Sequence, residues 1–123
     1  MILYKNFISL LLMTSILFMD SNQRQILIFG NDKHSSLVKQ QLALFDEQVA
    51  GIKERDITIK VVAKEDLLNK KYLVNTGSFT IILFGKDGTE KFRTEEILLP
   101  QKLFAIIDAM PMRQAEMNRN KIP

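Results

Sequence analysis

The chain has 123 residues and a formal net charge of +3, with no cysteine and a single histidine, His34. Without cysteine, thiol redox chemistry, thiolate nucleophiles and thiolate-bound metals are excluded, and one histidine excludes a histidine-rich zinc site; a carboxylate-only metal site is not excluded by counting. Lysines and arginines are scattered, not clustered, which argues against a nucleic-acid footprint.

The first nineteen residues carry an address. Lys5 supplies a positive start, and Phe7 to Met19 is an uncharged, mostly apolar run that stops at Asp20. As a helix that run spans roughly 20 Å, short of the ~30 Å hydrocarbon core of a bilayer, so a cleavable secretory signal fits better than a membrane span. The segment is apolar around its whole circumference, unlike a first helix of a soluble fold. The nearest cleavage option lies after Ser21, giving a signal peptide over 1–21 and one domain over 22–123. A lipoprotein is excluded because no cysteine can take the lipid. Processing leaves about a hundred residues, enough for one core, and no stable membrane span. The implied destination is the periplasm or the exterior.

After a polar linker (Asp20 to Gln25), Ile26 to Phe29 reads as a buried strand ended by Gly30. Ser35 or Ser36 is placed to cap a helix whose face carries Val38, Leu42, Phe45 and Val49, with Gly51 closing it. Ile57 to Val62 alternates as a strand. A short helix around Glu65 to Tyr72 is expected to bury Leu67, Leu68 and Tyr72. Phe79 to Phe84 is almost continuously apolar, the pattern of a central strand covered on both faces. Gly85-Lys86-Asp87-Gly88 contains the Asp-Gly pair of tight hairpins, so Glu90 to Arg93 is the returning edge strand. Pro100 suits the first turn of a last helix burying Leu103, Phe104, Ile106, Ile107 and Met110, and Pro111 is expected to stop it. The tail from Arg113 to Lys121 reads as a frayed, solvated end.

The order βαβαββα predicts an α/β thioredoxin-like core, a mixed sheet with flanking helices. A flavodoxin-like sheet would need a further parallel strand that the chain has no room for. In a thioredoxin-like enzyme the reactive cysteines occupy the turn after the first strand; here that turn is Gly30 to Ser36. Ser78-Phe79 stands where such folds usually carry a cis-proline. His34 beside two serines has no evident carboxylate to orient it, so a solvated turn histidine is the plainer reading. Gly85-Lys86 lacks the flanking residues of a phosphate loop. Asp32, Asp56, Asp87 and Asp108 share no short spacing, so no metal loop is read, and no cofactor is called for.

Three segments resemble a known family: Ala50 to Ile57, Phe79 to Gly88 with Lys91 to Arg93, and Ile107-Asp-Ala-Met-Pro-Met-Arg113. They look like an exported domain of unknown function that occurs alone in bacteria and within animal sushi-repeat extracellular proteins. That domain is described as thioredoxin- or peroxiredoxin-like without the redox cysteines. The resemblance runs from Arg24 to about Met117 and implies fold and export; the family has no assigned catalytic residues to carry over. Its motif positions here are Gly85, Lys86, Asp87, Gly88, Met110, Pro111 and Met112. Read physically, Pro111 ends a helix while Met110 and Met112 fill the core edge. Asp108 pairs with Arg113 across the turn or is reached by Arg93, and structural closure is the preferred reading. The functional alternative has Arg55, Arg93 and Arg113 converging to hold an anionic group. The expected function is binding, to a protein or an envelope component. The alternative is an enzyme working on an anionic substrate through the His34 turn or the arginines.

Overall fold

The computed structural model describes residues 22–30, 34–75 and 78–121. The leader, with its expected cleavage point, and residues 31–33, including Asp32, lie outside them. Strand β1 (Arg24–Phe29) begins two residues before the apolar run, inside the expected linker, because the ladder starts there: the Arg24 N–H donates to the Asp56 carbonyl at 2.7 Å. β1 pairs in parallel with β2 (Ile57–Val62), Arg24 opposite Ile57, and antiparallel with β3 (Thr80–Phe84), Gln25 opposite Phe84. β4 (Glu90–Thr94) pairs antiparallel with β3, so a four-stranded mixed sheet has the order β2-β1-β3-β4. Only the β1–β2 pairing is parallel, and β3 alone runs against the other three strands. The chain from β2 to β3 passes to the far side of β1 and reverses direction.

The continuous apolar sequences of β1 and β3 follow from cover on both faces. Ile26, Ile28, Ile81 and Leu83 point into one core with Phe45, Ile52, Leu103 and Ile107. Leu27, Phe29, Ile82 and Phe84 point into a second with Val62 and Val74, closed by Leu68 and Tyr72. The first core is covered by α1 (Ser35–Asp46), α2 (Val49–Glu54) and α4 (Pro100–Asp108); the second lies beneath α3 (Leu68–Lys71) and its flanking turns. Gln41, fully buried on α1, ties the chain entering α4: its amide donates to the Leu98 carbonyl and its carbonyl accepts the Leu98 N–H, both at 2.7 Å.

Several local expectations are corrected. His34, not a serine, is the N-cap of α1, and no side chain caps that end. The chain bends at Glu47 and Gln48, where N–H groups donate to Ala43 and Phe45 carbonyls, so Val49 starts a new helix and is 44% exposed. Gly51 therefore lies within α2 and closes nothing; a Cβ there would stand 2.6 Å from the Phe104 ring. Leu67 is 77% exposed, because α3 starts one residue later and the buried member of that turn is Asn69. Its amide donates to the Ala63 and Asp66 carbonyls.

The β3–β4 connection is longer than a two-residue hairpin. Gly88 N–H donates to the Gly85 carbonyl, and Gly88 alone has positive φ (+80°), a turn followed by a left-handed residue. The register then slips, with Leu83 opposite Phe92 but Phe84 opposite Glu90, leaving Lys91 as the extra residue of a bulge.

The largest correction concerns the tail. α4 ends at Asp108, ahead of Pro111 as expected, but Pro111 then occupies the first turn of a further helix, α5 (Pro111–Asn120), where a missing N–H costs nothing. The expected frayed tail is that helix, and its Arg113 is 1% exposed. Among the described residues no helix is long and apolar enough to cross a membrane.

Candidate functional site: a charged corner and its cavity

The α4–α5 junction meets the start of β1, the end of α2 and the β3–β4 turn. Asp108, the last residue of α4, is the centre of one ion cluster. Arg55 donates to both its carboxylate oxygens (Nε 3.0 Å, Nη2 2.9 Å), and Arg113 Nε donates to Oδ1 at 3.0 Å. Arg113 also reaches Glu54, with Nη2 3.1 Å from its carboxylate and Nη1 donating to its backbone carbonyl. The Arg55 guanidinium lies 4.1 Å from the centroid of the Phe104 ring, and that ring fills the space that Gly51 leaves open.

Glu116, one turn further along α5, is the centre of the second cluster. Arg24 grips it as a fork, Nη1 to Oε1 at 3.2 Å and Nη2 to Oε2 at 3.1 Å, and also donates to the Arg55 carbonyl. Lys86 Nζ bridges Glu116 and Asp56 at 2.9 and 2.8 Å. Asp56 is held in the left-handed region (φ 52°) just past α2, a conformation that Asp tolerates better than most residues. Arg24 and Arg113 are each 1% exposed. Such cations stay buried because each is paired and hydrogen-bonded.

The carboxylates respond accordingly. Hydrogen bonds from Arg55 hold Asp108 below the usual carboxylate range; burial opposes them and Arg113 adds to them. Burial pushes Glu116 up, but hydrogen bonds from Arg24 and Lys86 outweigh it and leave Glu116 lowered. Burial likewise works against the charge on Arg113, and its bonds to Asp108 and Glu54 reverse that.

Beside this network lies a cavity of about 450 Å³. Ala109, Met110, Pro111 and Met112 form its apolar wall, the β3–β4 turn with Gly85, Lys86, Asp87 and Lys91 faces them, and Arg24 lies at its base. Most of the motif residues singled out in the sequence thus surround one space. Gly88 instead borders a smaller cavity of about 60 Å³ with Tyr72 and Phe84.

Of the residues expected to converge, Arg55, Asp108 and Arg113 meet. Arg93 does not: it lies mid-strand on β4, donating to Glu90 and to the Tyr72 carbonyl at 2.7 Å. His34 sits beyond the C-terminal end of β1, whereas the ion clusters gather at its N-terminal end, roughly 17 Å away along a six-residue strand. Sequence reasoning missed Arg24, Lys91 and Glu116. For Arg24 the available signal was a charge abutting an apolar strand, and for Glu116 its spacing of three from Arg113 on a helix. Among the described residues no group of three or more His, Asp or Glu is arranged to hold a metal ion.

The fold and corner define a cysteine-free mixed α/β domain closed by buried ion pairs. Residues 18–116 match the family described as Domain of unknown function (DUF4174), and the chain belongs to that family. No curated protein sequence matches it. A solved chain described as "Structure of a malarial protein" superposes with a TM-score of 0.57 at 24% identity, covering 71% of this chain and 96% of that one. It shares the fold.

Proposed function

We propose that this is an exported, non-redox thioredoxin-like domain, related to the domain of sushi-repeat extracellular proteins, that acts by binding a protein or envelope component at the cavity of the α4–α5 corner. The carrying observation is that the motif residues Lys86, Asp87, Met110, Pro111 and Met112, far apart in sequence, line one cavity. Cavities of this size with apolar walls and a few placed charges are typical ligand sites. The thioredoxin-like reading is supported by the strand order β2-β1-β3-β4 with β3 alone reversed, and the non-redox reading by the absence of cysteine. Export, with the periplasm as destination, rests on the apolar leader ending at Asp20. The enzymatic alternative has less support, since Arg55 and Arg113 are already engaged by Asp108.

The test is capture with the full chain, tagged at its C-terminus and produced in its native envelope, alongside the Met112→Glu variant. Met112 is 51% exposed, so the substitution charges the cavity without disturbing the core. One stoichiometric component held by the wild type and lost from the variant is expected. Equal recovery from both, or turnover in a substrate screen with nothing captured, overturns the reading. Cytosolic retention of the chain overturns export.

A further inference from the structure

We infer that the corner cavity takes an anionic amphiphile: one charged head, carboxylate or phosphate, on a short apolar tail. This rests on the binding reading above and specifies its ligand.

The cavity is two-sided in chemistry. Its apolar wall includes Met110 and Met112, whose unbranched side chains adapt to an alkyl chain of variable shape. Across from them the lining side chains bear three positive charges, on Arg24, Lys86 and Lys91, against the single carboxylate of Asp87. The acids that balance Arg24 and Lys86, namely Glu116 and Asp56, do not line the cavity. Arg24 borders the space but is 1% exposed and forked onto Glu116, so the accessible cations are Lys91 and, to a smaller extent, Lys86, and these bias the cavity toward positive potential.

Lys91 is the cation free to respond. It is the extra residue of the β4 bulge, a device that re-aims a side chain, and its stem crosses Gly85 so closely that a Cβ there would lie 2.6 Å from Lys91 Cε. Its ammonium pairs with Asp87 at 2.9 Å, with side chains 35% and 48% exposed. Ion pairs this open contribute little, so a ligand head can replace Asp87 at small cost. Lys86, with a side chain only 14% exposed and clamped between two carboxylates, stays fixed as the second positive charge. The start of α5 adds to the field: its N-cap Met110 makes no side-chain cap and its first turn holds no acid.

Titration of the full chain, labelled at methionine methyls, with octanoate and octyl phosphate tests this, with octanol, octylammonium and acetate as controls. Shifts at the Met110 and Met112 methyls are expected with one or both anionic amphiphiles, which also tells the two heads apart. Octanol is expected to bind about tenfold more weakly, the worth of one charge-assisted hydrogen bond. Lys91→Gln is expected to weaken the anion by a similar factor, and Asp87→Asn, which releases Lys91, to strengthen it. Both positions are at the surface, so folding is retained. Octanol binding as tightly as octanoate, octylammonium binding more tightly, shifts confined to Met117, or no shift at millimolar ligand would each overturn the inference. If the anions fail while Met112→Glu still loses a captured component, the amphiphile falls and the binding site stands.

Discussion

Arg24 shows most clearly how a single residue decides this corner. It opens β1, is 1% exposed, and has its fork filled by Glu116, whose side chain is 11% exposed. An ion pair taken this far from water gains little over an apolar pair, but removing one member strands the other. Glu116→Gln should therefore lower unfolding free energy by about 3 kcal/mol in urea melts, near the low end for breaking a buried pair. The double variant Arg24→Met/Glu116→Leu should recover much of that loss, since no charge is left unpaired; strictly additive losses would show that the fork is not the source. The same physics explains what could be read in advance. Asp108 and Arg113 are five residues apart across a proline turn, so their pairing was visible locally. Arg24 and Glu116 are separated by 92 positions, and an isolated charge in a sequence looks solvated until the fold brings its partner.

At the level of elements, legibility followed apolar pattern. β1 and β3 could be placed because their runs are continuous, and they form the centre of the sheet. α5 could not, because its buried anchor is an arginine and proline serves equally to stop a helix or begin one. Helix ends tell a similar story. Leu73 follows α3 with φ 56° and 87% of its surface exposed. The Val74 N–H donates back to the Asn69 carbonyl, and the Leu73 N–H to that of Lys70, the paired bonds of a helix end that glycine normally occupies. Leu73→Gly should thus stabilise the protein by about 0.5–1 kcal/mol, because the left-handed penalty of a Cβ outweighs the added chain entropy. Gly88→Ala, at φ +80° with open space around it, should cost about 1 kcal/mol from conformation alone. Gly51→Ala departs from the helix rule that favours alanine: the Phe104 ring is in the way, and a loss of about 1–3 kcal/mol is expected from overpacking. Thermal melts of the three variants would separate these causes, and a stabilised Gly51→Ala would mean that the ring yields freely.

Across the whole molecule, the sheet and the α5 corner are held by different forces. The sheet is closed by two apolar cores on its opposite faces. α5 is fastened mainly through Arg113 and Glu116, which engage Asp108, Glu54, Arg24 and Lys86. Acid acts on the second kind of fastening. Asp108 and Glu116 both lie below their ordinary values of 3.8 and 4.5 in the folded protein. A carboxylate lowered on folding contributes stability that is complete above its unfolded value and drains away as pH falls through the folded one. The loss therefore begins near pH 4.5 and deepens below it, while apolar burial is indifferent to protons. Two neutralised acids would leave Arg24, Arg55 and Arg113 mutually repelling around a helix with little apolar surface. On lowering pH from 6 to 3, the Met117 methyl resonance on α5 should move toward its unfolded position while Ile81 and Leu83 methyls in β3 hold theirs. Simultaneous loss of both sets would mean that the corner and sheet form one cooperative unit, with the ion pairs bound into the core's own stability. Separate transitions would make α5, which carries the Pro111–Met112 wall of the cavity, the element whose release opens that site.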